Sequence, residues 1–153
     1  MDVHFSSKSD DWATPQSFYD RLNDIYNFTL DPCSDKFNAK CEKFYTEADD
    51  GLAQDWSGER VFMNPPYGRV IGDWIRKAYE SNALVVALVP ARTDTRYWHD
   101  YVMQADEVIL IRGRLKFGDG SNSAPFPSAV VVWDKRKGKP TLSAMVNYVR
   151  EDG

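Results

Sequence analysis

Hydrophobic positions along the chain alternate between short strand-like runs and longer stretches with helical spacing. Residues 12–26 predict a turn followed by a helix. Thr14 can cap it, Pro15 suits the first helical position, and Phe18, Leu22, Ile25 and Tyr26 fall on one face. Residues 28–31 predict a short strand stopped by Pro32, and residues 44–46 a second. Residues 60–63 predict a third, ending at Asn64-Pro65-Pro66-Tyr67-Gly68. The spacing then predicts a helix over 70–81. The run 83–89, Ala-Leu-Val-Val-Ala-Leu-Val, is apolar throughout, as in a strand buried on both faces. A helix over 95–104, strands over 107–111 and 128–133, a basic turn over 134–140 and a last strand or helix over 142–148 complete the pattern.

Strands alternating with helices predict an α/β fold with a mostly parallel, twisted sheet flanked by helices. In such sheets ligands bind beyond the carboxyl ends of the strands. Three polar clusters fall at such ends: Asp31-Pro32-Cys33, Asn64-Pro65-Pro66-Tyr67 and Pro90-Ala91-Arg92-Thr93-Asp94. No repeat, low-complexity tract or linker divides the chain, and 153 residues suit a single domain over 1–153.

Composition narrows the function classes. A hydrophobic fraction of 42% is too high for a disordered chain. No apolar run approaches the roughly 20 residues of a membrane span, so no membrane partner is expected. Met1-Asp2-Val3-His4 does not begin a signal peptide, which makes the cytoplasm the expected compartment. Cys33 and Cys41 are expected as reduced thiols, and with the distant His4 and His99 they make a poor metal set, so no metal is expected. The net charge of −4 argues against a protein that coats nucleic acid. Residues 1–60 carry 6 basic and 13 acidic side chains, a net of −7, whereas residues 61–153 carry a net of +3. An acidic first part can hold a ligand bearing positive charge and hydroxyls, and a basic second part can face phosphates.

Asn64-Pro65-Pro66-Tyr67 directly after an apolar strand carries the chemistry. Two adjacent prolines donate no backbone hydrogen bonds and have fixed φ, so the loop presents carbonyl oxygens rigidly. The set suits an exocyclic amino group conjugated to a ring, whose nitrogen is a poor nucleophile because its lone pair is delocalised. The Asn64 side-chain oxygen and the Pro65 carbonyl can grip its two hydrogens and turn the lone pair towards an incoming methyl group. Tyr67 can stack on the ring. Catalysis would then be positioning and electrostatics.

The tetrapeptide resembles motif IV of the amino-methyltransferases, written Asp/Asn/Ser-Pro-Pro-Tyr/Phe. Further stretches resemble the small phage-type DNA N6-adenine methyltransferases: Trp12-Ala13-Thr14-Pro15, Leu30-Asp31-Pro32-Cys33, Asn38-Ala39-Lys40-Cys41, Asp50-Gly51-Leu52, Pro90-Ala91-Arg92-Thr93-Asp94-Thr95, Gly113-Arg114-Leu115-Lys116-Phe117-Gly118 and Pro125-Phe126-Pro127-Ser128. They span nearly the whole chain.

The resemblance implies a Rossmann-like methyltransferase fold, with S-adenosyl-L-methionine (SAM) across the strand ends, S-adenosyl-L-homocysteine as product and DNA as partner. If the chain is phage-encoded, it would act in the bacterial host cytoplasm. Thr14 and Pro15 would touch the methionine part of the cofactor, although Thr14 also reads as a plain helix cap. Asp31 would bind the cofactor amino group or the backbone amides that shape its pocket, with Pro32 and Cys33 beside it. No Gly-x-Gly follows Asp31, so this turn must make room for the cofactor differently. Asp50 is preferred to Asp49 for the ribose hydroxyls or the adenine amino group, with Leu52 under the adenine. Asn64 would border the cofactor. Phe117 would face Tyr67 across a flipped base. Arg92, Arg96, Arg112, Arg114 and Lys116 are candidate phosphate contacts, whereas Lys135, Arg136, Lys137 and Lys139 read as a solvated hairpin. Larger relatives carry a separate target-recognition domain, for which this chain has little room.

Rival readings are an amino-methyltransferase acting on RNA or protein glutamine, and an inactive DNA-binding relative. A Pro-Cys pair also suits the nucleophile of a cytosine-C5 methyltransferase, but that cysteine belongs in the catalytic loop and Cys33 follows the first strand. Neither Gly-x-x-x-x-Gly-Lys-Ser/Thr nor Gly-x-Gly-x-x-Gly is present, which argues against a phosphate-cradling module.

Overall fold

The computed structural model describes residues 13–118, 122–134 and 141–145. Trp12, His4, the basic positions 135–139 and residues 146–148 of the expected last element lie outside them. Helix α1 spans Gln16–Tyr26, β1 Arg60–Met63, α2 Ile71–Glu80, β2 Leu84–Pro90, α3 Arg96–Asp100, β3 Glu107–Ile111, β4 Lys116–Phe117, β5 Asn122–Ser123, β6 Ser128–Trp133 and β7 Thr141–Met145.

The main sheet has the order β1-β2-β6-β3-β7. β1 pairs with β2 and β3 with β7 in parallel, whereas β6 runs antiparallel to both β2 and β3. Four strands therefore share one direction around a single reversed strand, which is the mostly parallel, Rossmann-like α/β architecture expected. β4 and β5 form a separate two-stranded ribbon that the hydrophobic pattern did not predict.

Strand periodicity distributes the core over both faces of the sheet. From β2, Val85, Ala87 and Val89 point to one face and Val86 and Leu88 to the other, all fully buried. The first face is covered by α2 and α3 through Trp74, Ile75 and Trp98. The second is covered by α1 through Phe18 and Leu22, together with Leu115, Phe117 and Phe126. Burial on both faces is why the strand residues are apolar without alternation. A Leu88→Ala change would cost about 2–5 kcal/mol on that account.

Several expectations shift. Thr14 does not cap α1: Pro15 is the N-cap residue and the helix has no side-chain cap. Ile25 is 68% exposed, and Tyr19 takes its place in the core. The Tyr19 ring packs against Phe28 and Phe62, with centroids 5.6 and 5.1 Å apart, and this turns the buried stripe away from Ile25. The strands expected over 28–31 and 44–46 contract to isolated bridges, Leu30 with Val61 and Asp31 with Phe44. Pro32 has no N–H with which to extend the ladder. The helix expected over 95–104 ends at Asp100 and gives way to a 3-10 turn, Val102–Gln104. Thr95 does cap that helix, accepting from the Trp98 N–H.

Candidate active site

β1 delivers Asn64 at its carboxyl end, and the two prolines carry the chain out to Tyr67 before Gly68 turns it towards α2. Gly68 has a φ of +111°, a conformation costly for a side chain. Asn64 is half-buried and held at both ends of its amide. Its Nδ2 donates to Thr14 Oγ1 at 3.0 Å, and its Oδ1 accepts from the Tyr67 hydroxyl at 2.9 Å. The Tyr67 hydroxyl also lies 3.4 Å from the Leu88 carbonyl. Burial pushes the Tyr67 phenol far above its ordinary pKa, so it remains a neutral donor. The Pro65 carbonyl accepts no hydrogen bond from the described residues.

A cavity of about 340 Å³ opens beside this loop. Asn64, Pro65, Pro66 and Tyr67 form one wall, and Thr14, Asp31, Pro32, Cys33, Asp50 and Leu52 face it. The structure thus gathers, around one cavity, residues that lie up to 61 positions apart in sequence, from Ala13 to Trp74. Asp50 lines it at a φ of +55°, whereas Asp49 is spent on Thr46, accepting from its N–H at 2.8 Å and its hydroxyl at 3.0 Å.

Asp31 is the buried carboxylate of the cavity. Its Oδ1 accepts from the Cys33 N–H at 3.4 Å and its Oδ2 from the Lys40 N–H at 3.0 Å, so it organises the turn between them. Burial raises its pKa to about 6, and the two amide bonds work against that rise. Cys33 donates its thiol to the Asn64 carbonyl at 3.4 Å. Burial and the neighbouring Asp31 carboxylate push its pKa well up, so it remains a thiol and not a nucleophile. Cys41 is likewise a free cysteine, with its sulfur 3.5 Å from the Tyr19 hydroxyl.

Gly51 closes the floor. A Cβ there would lie 2.1 Å from the Pro32 carbonyl oxygen and 2.9 Å from the Trp74 ring. The Asp50-Gly51-Leu52 turn can therefore press against the Pro32-Cys33 turn only without a side chain. Its carbonyl accepts from Trp56 Nε1 at 3.0 Å. At Gly51 the backbone of one turn thus approaches the backbone of the other. Lys40 and Trp74 also line the cavity, and sequence reasoning missed both. Lys40 stands within Asn38-Ala39-Lys40-Cys41, but nothing marked its side chain, and Trp74 gave only the signal of a helix face.

The remaining candidates lie outside the cavity lining. Pro15 begins α1 beside Thr14. Phe117 is 2% exposed, and its ring meets Tyr67 edge to face, with centroids 6.5 Å apart and planes at 88°. The expected parallel pair around a base is not the arrangement present, because Phe117 is packed into the core with Phe126. Phe126 also meets Tyr67 edge to face at 5.3 Å. Exposed cations surround these rings. The Arg92 guanidinium lies 5.6 Å from the Phe126 centroid, Arg114 donates to the Ala124 carbonyl at 3.4 Å, and Lys116 precedes Phe117 on β4. Arg96 and Arg112 are exposed as well. Among the described residues, no helix is long and apolar enough to cross a membrane.

Known proteins resemble this chain over most of its length. Residues 4–150 match the DNA N-6-adenine-methyltransferase (Dam) family. A DNA N-6-adenine-methyltransferase of Haemophilus phage HP1 is 29% identical over 154 residues, which covers 94% of this chain and 88% of that protein. One of Escherichia phage T1 is 32% identical over 109 residues, covering 68% of this chain but 45% of the phage T1 protein. Among solved structures, a predicted O-methyltransferase of Agrobacterium tumefaciens is similar with a TM-score of 0.42 and 17% identity, over 88% of this chain and 66% of that one. The chain belongs to the DNA N-6-adenine-methyltransferase family.

Proposed function

We propose that this member of the DNA N-6-adenine-methyltransferase family methylates the exocyclic N6 amino group of adenine in DNA, with SAM as methyl donor and S-adenosyl-L-homocysteine as product. The observation that carries the reading is the meeting of the Asn64–Tyr67 wall with an acidic cavity, so that two carbonyl-type acceptors border a donor-sized space.

The cavity fits the donor by chemistry. SAM is cationic at its sulfonium and ammonium groups, anionic at its carboxylate and rich in ribose hydroxyls. Asp31, Asp35, Glu47 and Asp50 supply acceptors, Leu52 and Trp74 supply apolar surface, and Lys40 is the one cation among the described lining residues. Asp31 and Asp50 would hold the cationic and hydroxyl groups, Lys40 the amino-acid end, and Leu52 the adenine. Bound there, SAM supplies an electrophilic methyl group on a positively charged sulfur.

The chain's own residues supply orientation. Asn64 Oδ1 and the Pro65 carbonyl accept the two amino hydrogens of adenine and turn its lone pair towards the cavity. No strong base is needed beforehand, because the nitrogen loses its proton after it becomes cationic. A base within a duplex is out of reach, so the target is flipped out. Tyr67 is the platform for it, and Phe117 and Phe126 buttress Tyr67 from the core. Arg92, Arg114 and Lys116 hold the neighbouring phosphates. Target choice is made by short loops or by a second subunit.

Incubation with methyl-labelled SAM and DNA, RNA or protein tests this directly. Label in N6-methyladenine of DNA alone is the expected outcome. Label in RNA or in glutamine, or SAM binding with no transfer to DNA, would overturn the reading. Sequencing DNA from expressing cells for N6-methyladenine would then give the target context.

A further inference from the structure

We propose that the Thr14 hydroxyl is a positioning group for Asn64: together with the Tyr67 hydroxyl it clamps the two ends of the Asn64 amide and sets the plane in which Asn64 meets its acceptor. The proposal rests on the reading that Asn64 grips the acceptor amine.

Thr14 is 50 residues from Asn64 in sequence, and it reaches the site from the segment before α1. A threonine at this place is expected to serve its own helix. It does not: α1 has no side-chain cap, and the Thr14 oxygen accepts from Asn64 Nδ2 instead. Thr14 is 5% exposed, and its backbone is fixed on both sides. The Ala13 carbonyl accepts from the Gly118 N–H at 3.0 Å, and the following Pro15 carbonyl accepts from the Tyr19 N–H at 3.0 Å. The hydroxyl is therefore presented by a rigid support and not by a mobile arm.

Asn64 needs such a support. It lies just beyond the last residue of β1, and the terminal amide of an asparagine turns in a broad, two-fold well. Gripping an amine along one line requires the amide plane to be fixed before the amine arrives, because ordering it afterwards would weaken the interaction. Thr14 holds Nδ2, and Tyr67 holds Oδ1. An amide oxygen has two lone pairs, so Oδ1 can still accept from the amine while bonded to Tyr67. The clamp leaves both proposed acceptors, Asn64 Oδ1 and the Pro65 carbonyl, able to act. Tyr67 thereby gains a second role, since its ring is the platform and its hydroxyl aims Asn64.

Thr14 borders the donor cavity as well, so a contact with the donor is the competing role. Three measurements on Thr14→Val, which keeps the shape and loses the acceptor, separate the two. These are single-turnover transfer to DNA at saturating SAM, SAM affinity by calorimetry, and exchange of the Asn64 side-chain amide protons by NMR. Loss of one positioned hydrogen bond should slow transfer by about 10- to 100-fold. SAM affinity should stay within about threefold, a small fraction of that change. The Asn64 amide protons should exchange faster. Thr14→Ser, which restores the oxygen, should recover transfer to within about fivefold of wild type. Tyr67→Phe should slow transfer too, and the double variant should lose less than the product of the two singles.

Wild-type transfer in Thr14→Val would overturn the proposal. So would a loss of SAM affinity matching the loss of rate, or Thr14→Ser as slow as Thr14→Val. If the wild type methylates no DNA, the proposed function fails by itself, and amide exchange still decides the clamp. Protection present in the wild type and lost in Thr14→Val supports it, and equal exchange in both overturns it.

Discussion

The two walls of the cavity are built in opposite ways. The wall proposed for the acceptor is four consecutive residues at the end of a buried strand, stiffened by two prolines and backed by an aromatic cluster. The wall proposed for the donor runs from Asp31 to Ala53 and contains, apart from one 3-10 turn, no helix or multi-residue strand. It is held by side chains bonding to backbone. Asp31 takes the Cys33 and Lys40 amides, Asp35 takes the Phe37 and Asn38 amides, and Trp56 donates to the Gly51 carbonyl. The acceptor wall therefore draws its geometry from covalent stiffness, and the donor wall from a network that fails at single points.

That contrast is open to breakage, starting with the largest effect. Asn64→Ala removes the proposed transition-state acceptor and leaves the donor wall intact. Methyl transfer should fall about 10²- to 10³-fold, while SAM affinity measured by calorimetry stays within about threefold. Near-normal transfer would remove Asn64 from catalysis. Gly51→Ala should do the reverse, because its Cβ would collide with the Pro32 carbonyl and Trp74. It should cost about 2–3 kcal/mol in denaturant unfolding and weaken SAM binding. Unchanged stability would show that the two turns can part without loss.

Asp31→Ala should raise the SAM dissociation constant about tenfold, and an unchanged constant would take Asp31 out of the pocket. Asp31 also predicts two pH dependences of opposite sign. Its pKa in the folded chain, about 6, lies above the ordinary 3.8, so the folded state holds the proton more tightly than the unfolded state. The stabilising contribution of the neutral form is full below about 3.8 and is lost as pH rises through about 6. Affinity for the cationic donor should rise over the same window, because the ionised carboxylate favours it. In Asp31→Asn both slopes should vanish, as followed by unfolding and calorimetry between those pH values. Slopes that persist would belong to another group. The smallest effects should come from the exposed cations. Replacing Arg92, Arg114 or Lys116 by Ala should each lower the salt dependence of DNA binding by about one phosphate's worth, with SAM binding unchanged. An unaltered salt slope would place that residue away from DNA.

The same contrast explains what could be read before the fold was known. β1, β3 and β6 and the loop at Asn64 were legible to the residue, because a run of buried β-branched and aromatic side chains followed by Asn-Pro-Pro-Tyr expresses its structure locally. The turns around Asp31 and Gly51 were legible only as polar clusters. A turn whose hydrogen bonds go to residues nine positions away, as from Asp31 to Lys40, leaves no periodic trace. The Ile25 position failed for a related reason. Helical spacing defines a stripe, but the Tyr19 contacts with Phe28 and Phe62 decide which edge of the stripe is buried.

The sequence by itself determined the α/β pattern and the stiff Asn64-Pro65-Pro66-Tyr67 loop with its candidate acceptors, since hydrophobic periodicity and proline stereochemistry act over a few residues. Tertiary structure alone decided that Thr14 serves Asn64 and not its own helix. It also turned Phe117 edge-on to Tyr67 in the core, and made Gly51 the contact that lets the two donor-side turns meet. Each of these depends on atoms brought together from distant parts of the chain, where the outcome is set by packing and hydrogen-bond competition and not by local preference.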